Sequence, residues 1–179
     1  MLDTKYCLKA ANQALIAAER ELLPRFKHEH PGKWRYKKHS EILTEADEAA
    51  NHAIIKTLKK LTPDFGIITE ESPRLNGPKD IRWIVDPLDG TTNYTAHLPI
   101  WGISLALVAG DDIFLGAISL PTMNERYFAI AGQGAWSRML WANTPSKSRT
   151  RTRSRILSAC FVTATCRKRK SADSSMYRH

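Results

Sequence analysis

Apolar positions in the first third of the chain recur at three- and four-residue steps. Leu8, Ala11, Leu15, Ala18 and Leu22 fall on one face of a helix, which the spacing predicts over residues 5–23, ended by Pro24. The polar, basic stretch from His28 to Ser40 is expected as a loop or ragged strand. Thr44-Glu45-Ala46-Asp47 then has the spacing of a capping box with Asp in the third position. It predicts a second helix whose buried face carries Ala50, Ala53, Ile54, Leu58 and Leu61, stopped by Thr62-Pro63-Asp64.

From Gly66 the pattern changes to that of strands. Gly66-Ile67-Ile68-Thr69 is a short apolar run ending on the acids Glu70 and Glu71, and Ile81-Arg82-Trp83-Ile84-Val85 is another ending on Asp86, with a turn-rich segment between them. Strands are also predicted from Ile100 to Val108, Ile113 to Leu120 and Arg126 to Ala131. Gly110-Asp111-Asp112 and Pro121-Thr122-Met123-Asn124 separate them, and linkers this short imply an antiparallel meander. Helices first and a meander after them define an α+β fold rather than a doubly wound sheet. Trp83 and Trp101 fall at strand positions and are expected in the core.

Charge divides the chain. Residues 137–179 hold 11 Lys and Arg against one acid, Asp173, whereas residues 1–136 carry a net charge of −1 and contain all nine glycines. The overall net charge of +9 is therefore a property of the last 43 residues. No apolar run approaches the roughly 18–20 residues of a bilayer span, and the first residues lack a basic start and apolar core of a secretory signal. No membrane partner and a cytoplasmic location are expected. Cys7, Cys160 and Cys166 are too few and too scattered for a disulfide framework or a four-ligand zinc site.

The chemistry is expected where strands end in acids. Asp86-Pro87-Leu88-Asp89-Gly90-Thr91-Thr92-Asn93 puts two carboxylates three residues apart directly after an apolar strand. Gly90 lets the backbone turn closely, and a helix opening at Gly90-Thr91 would point free N–H groups at an anion. Carboxylates repel an anion unless a cation lies between, so the arrangement implies hard divalent metal ions bridging oxygen ligands and a phosphate. An Asp-x-x-Asp turn alone is often merely solvated or capping. The strand-terminal Glu70-Glu71 adds weight to the metal reading.

Trp83 to Asn93 resembles the signature of the inositol monophosphatase family, Mg²⁺-dependent, lithium-sensitive phosphatases. Thr44 to Asp47 resembles the family's Thr-x-x-Asp segment, Ile68 to Ser72 its Glu-Glu-Ser segment, and Gly132-Gln133-Gly134-Ala135-Trp136 its Gly-x-Gly-Ala turn followed by an aromatic residue. The resemblance covers residues 3–136 and implies the N-terminal α+β half of a layered α/β/α/β/α sandwich. It implies that Glu70, Asp86 and the Leu88 carbonyl hold a first Mg²⁺, and that Asp86 and Asp89 share a second. It further implies that the Gly90 and Thr91 N–H groups take the phosphate, and that Thr91, paired with Asp47, activates water, with Glu70 also counted among the catalytic residues. Glu71 is expected either behind the metal ligands or as a solvated acid. Thr92-Asn93 resembles the inositol phosphatases, so the implied substrate is inositol monophosphate or a related sugar phosphate. The family also implies a homodimer. His97 is weighed as a pocket-mouth residue against a surface one.

The departure from the family begins after Trp136. The family's Trp-Asp-x-Ala-Ala-Gly segment, whose Asp completes the second metal site, is absent from the sequence. Residues 1–136 are therefore taken as the family-like domain of a truncated phosphatase with reduced activity. Residues 137–179 are taken as a basic tail, disordered or out of frame. They contain no Gly, only seven Val, Leu, Ile, Met or Phe, and the run Lys147-Ser148-Arg149-Thr150-Arg151-Thr152-Arg153-Ser154-Arg155. If the tail is out of frame, the nucleotide sequence beyond the Trp136 codon encodes a strand-forming continuation in another frame. The alternative function is a non-catalytic remnant that binds phosphate or nucleic acid through the tail. Nucleic acid is not the expected partner, because the tail lacks aromatic residues at a spacing suited to base stacking.

Overall fold

The computed structural model describes residues 2–27, 34–36, 42–71 and 80–139. The expectations placed on the tail from residue 140 onward, and on most of the stretch between His28 and Ser40, lie outside the described residues. Two helices, α1 (Thr4–Lys27) and α2 (Glu45–Leu61), pack on each other and on one face of a six-stranded sheet. The sheet comprises β3 (Gly66–Thr69), β4 (Ile81–Asp89), β5 (Gly102–Ala109), β6 (Asp112–Leu120), β7 (Glu125–Ile130) and β8 (Gly134–Met139), side by side in chain order. The pair β3–β4 is parallel and every later pair is antiparallel; β5, β6 and β7 form the meander that their short linkers predicted. The short strands β1 (Trp34–Tyr36) and β2 (Ile42–Thr44) pair separately, and β2 leads directly into α2.

The core lies between the helices and the sheet. Alternation in the strands sends Trp83, Val85, Ile103, Leu105, Leu107, Leu115 and Phe128 into it, opposite Leu15, Leu22, Ile54 and Leu58 of the helices. Trp83 is fully buried, and its indole N–H donates to the Thr62 hydroxyl at 3.0 Å, tying β4 to the end of α2. At Gly102 an added Cβ would lie 2.8 Å from the Ser119 carbonyl, so only glycine permits that approach of β5 to β6.

Four sequence expectations need correction. Helix α1 does not end at Pro24 but continues to Lys27. Proline removes one helical hydrogen bond, yet the last turn is held by Phe26, whose ring centroid lies 5.3 Å from those of both Tyr94 and Trp101. The Tyr94 hydroxyl also donates to the Leu22 carbonyl at 2.8 Å. Strand β4 does not stop at Asp86 but runs on to Asp89 through a register shift, with Asp86 opposite Ser104 and Asp89 opposite Gly102. Three steps on β4 thus match two on β5, and Pro87, which has no N–H to give the ladder, sits inside that bulge. Gly134-Ala135-Trp136, read only as a turn followed by an aromatic residue, opens a further strand, β8, whose register continues through Ser137 and Arg138 to Met139 opposite Glu125. Finally, β2 was not anticipated, because three residues are too few to show a period.

Candidate active site

The end of β3, the bulged segment of β4 and the starts of α2 and α3 build the site. The parallel pair β3–β4 aligns Thr69 with Val85, so Glu70, just past the end of β3, comes beside Asp86 inside β4. The Glu70 N–H donates to the Val85 carbonyl at 3.2 Å, fixing that alignment one residue further. Asp86 is buried, whereas Glu70 and Asp89 are exposed and Glu71 is half-buried. The acids therefore grade from the interior to the surface along one edge.

The turn after Asp89 needs a left-handed residue. Gly90 has φ of 89° and caps the five-residue helix α3 (Thr91–Thr95). A Cβ there would also approach the Ile100 carbonyl to 3.1 Å, so both conformation and space select glycine. The first helical bond of α3 runs from the Tyr94 N–H to the Gly90 carbonyl at 3.0 Å, and the Gly90 and Thr91 N–H groups precede it. The Asn93 side-chain amide donates to the Ile100 carbonyl at 2.8 Å and holds the following loop against this turn.

The capping box of α2 delivers the remaining acid. The Thr44 N–H donates to Asp47 Oδ2 at 2.9 Å, and the Asp47 N–H donates to Thr44 Oγ1 at 3.3 Å, the reciprocal pair expected from the sequence. Asp47 is only 1% exposed, and its other oxygen, Oδ1, lies 3.1 Å from Thr91 Oγ1. The Thr91 hydroxyl lies equally close, 3.1 Å, to the Leu88 carbonyl, so its single proton is shared between two acceptors. The structure thus brings together Asp47 and Thr91, which are 44 residues apart, with the bulged segment that carries Asp86, Leu88 and Asp89.

An open cavity of about 300 Å³ adjoins the turn, with Asp89, Gly90 and Asn93 on one side and Ile100, Ser104 and Leu120 on the other. The sequence singled out none of the last three, because cavity walls on a sheet carry no local motif. His97 belongs elsewhere: its Nδ1 lies 3.2 Å from the Phe26 carbonyl and its ring packs on Phe26. Tyr94, wedged in the same aromatic cluster, has its phenol pushed up from its ordinary pKa by burial.

The donor set is all oxygen, which fits a hard divalent cation. Among the described residues no group of three or more His, Cys, Asp or Glu side chains gathers closely enough to hold a metal ion by itself.

Solved structures of the same fold include an extragenic suppressor protein suhB from Bartonella henselae, 32% identical, with a TM-score of 0.69 over 73% of this chain and 50% of that one. The Thermotoga maritima IMPase TM1415 matches with 32% identity and a TM-score of 0.67 over the same shares. The architecture is therefore that of the inositol monophosphatase-type α+β proteins. A model of the inositol monophosphatase family matches residues 3–177, and the chain belongs to that family of phosphatases. That match extends beyond Trp136 into the basic segment. Curated relatives include Nus factor SuhB of Pasteurella multocida (strain Pm70), 41% identical over 97 residues, which are 54% of this chain and 36% of that protein. The fructose-1,6-bisphosphatase/inositol-1-monophosphatase of Thermotoga maritima is 40% identical over 96 residues, 54% of this chain and 37% of that protein. The aligned part of the chain spans just over a third of these curated relatives and about half of the solved ones.

Proposed function

We propose that this chain is a Mg²⁺-dependent phosphatase for inositol monophosphate or a related sugar phosphate. The reading rests above all on the Thr91–Asp47 contact of 3.1 Å, which joins the start of α3 to the start of α2 beside the acidic bulge. Glu70, Asp86 and the Leu88 carbonyl would hold one cation, and Asp86 with Asp89 would hold a second. When bound, Mg²⁺ supplies neutralisation of the phosphate charge and Lewis-acid activation of the attacking water.

The chain's own residues supply positioning. The N–H groups of Gly90 and Thr91 donate to phosphate oxygens. Asp47 is fixed by its capping bonds and accepts from the Thr91 hydroxyl. With that proton directed inward, the Thr91 oxygen keeps a lone pair for a water in line with the phosphorus. The cavity beside Asp89 and Asn93 offers space for the alcohol part of the substrate.

A second reading is a phosphate- or nucleic-acid-binding chain without turnover. The excess of Lys and Arg after residue 140, and likeness to a relative named Nus factor SuhB, support it. Phosphate release from inositol monophosphate, with and without Mg²⁺, separates the two. The phosphatase reading expects Mg²⁺-dependent release, slower than that of a full-length relative, and a further fall of about 100-fold or more in Asp47→Asn. A folded chain with no Mg²⁺-dependent release leaves the second reading in place.

A further inference from the structure

A second cavity, of about 240 Å³, lies between the first turns of α1 and the β7–β8 edge of the sheet. Its floor is aromatic: Phe128 and Trp136 face each other across the strand pair, with ring centroids 6.0 Å apart and planes 24° from parallel. Leu8 closes the floor from the helix side, and Lys5, Lys9 and Arg138 stand around it. Asn12 completes the wall; its Oδ1 accepts from Arg126 at 3.1 Å, which leaves the amide N–H groups as donors.

The charges here do not cancel. Lys5 and Lys9 lie in the first two turns of α1, where the helix dipole already favours anions. Asp3 is committed to the helix start, accepting from the Lys5 and Tyr6 N–H groups at 2.9 and 3.3 Å. Glu19 is neutralised by Arg126, the cross-strand partner of Arg138. Glu125 is bonded to the Tyr127 hydroxyl. Among the described residues Lys5, Lys9 and Arg138 therefore make no ion pair. Residues 140–179 carry ten Lys and Arg against one acid, so like charge disfavours that segment as the occupant.

We propose that this cavity is a binding site for a nucleoside monophosphate, separate from the acidic turn. A base stacks on the exposed part of Trp136, and the phosphate is held by Lys5, Lys9 and Arg138. Cations around an aromatic floor select a ligand that is both flat and anionic. The cavity is open and its volume lies below the roughly 300–1,000 Å³ of pockets for drug-sized ligands, so it suits a single nucleotide resting partly in solvent rather than a dinucleotide.

Calorimetry on the full chain in metal-free buffer, with AMP as the probe, tests this. Adenosine and ribose 5-phosphate supply the ring and the anion separately. AMP is expected to bind saturably, and at least tenfold more tightly than either part. Lys9→Glu and Trp136→Leu are each expected to weaken AMP at least tenfold. Lys9→Glu places an acid near the helix start, where it suits the dipole, so its loss of binding is not a loss of fold. Asp86→Asn is expected to leave AMP binding unchanged, which separates this site from the proposed phosphatase centre. The proposal is overturned if the folded wild type shows no saturable AMP binding, or if ribose 5-phosphate binds as tightly as AMP. It is also overturned if Asp86→Asn abolishes binding while Lys9→Glu and Trp136→Leu keep it.

Discussion

Two regions of this molecule bury acids, and they do so in opposite ways. In the first, Glu19 of α1 meets Arg126 of β7, with both side chains about 8% exposed. Arg126 Nε donates to Glu19 Oε1 at 2.7 Å, Arg126 Nη2 donates to Oε2, and the Ser119 hydroxyl donates to Oε1 at 2.5 Å. The acid is saturated and the strands around it are regular. In the second, Asp86 is buried inside a bulge, Asp89 and Glu70 emerge at its rim, and the backbone turns through a left-handed glycine. The first arrangement closes on itself and locks a helix to the sheet. The second departs from regular strand geometry and places Asp89 beside a cavity, and that is where a ligand can act.

The sharpest way to break this contrast is to remove Arg126. Arg126→Leu leaves Glu19 buried without its counter-charge and should cost about 3–5 kcal/mol in urea unfolding. The double variant Glu19→Met/Arg126→Leu should recover most of that loss, since an apolar pair needs no partner. A loss under about 1 kcal/mol in the single variant would mean that the pair is not what locks α1 to the sheet.

Gly90→Ala probes the other region. It places a Cβ at positive φ and against the Ile100 carbonyl, with an expected loss of about 1–2 kcal/mol by thermal unfolding. An unchanged midpoint would show that the turn relaxes freely and is not held as described. A smaller effect is expected of Thr44→Ala, about 1 kcal/mol from the lost helix cap. Because the same threonine fixes Asp47, Thr44→Ala should also lower Mg²⁺-dependent phosphate release, whereas Thr44→Ser should restore both stability and release.

The two regions also differ in how far the sequence disclosed them. The Asp86–Asp89 acids, the capping box and the glycine turn are local, so their residue types and spacings can be read off the chain. Their meeting, through Asp47 and Thr91, followed from resemblance rather than from spacing. The Glu19–Arg126 pair is 107 residues apart, and each partner looks like an ordinary surface charge until the fold brings them together. For the same reason Pro24 misled: a local rule ended α1 there, while packing of Phe26 on Tyr94 and Trp101 carried it one turn further. Strand β4 likewise passes its expected end, because the bulge accommodates Pro87 without ending the pairing.

The central claim is that the acids of the second region form a binding site for a hard divalent cation. Calorimetric titration of the full chain with Mn²⁺ tests it most directly, comparing wild type with Asp86→Asn. The account predicts saturable binding to the wild type, weakened at least about tenfold in Asp86→Asn, because that carboxylate would belong to both cation positions. Equal Mn²⁺ binding by the two proteins, both folded, would contradict it.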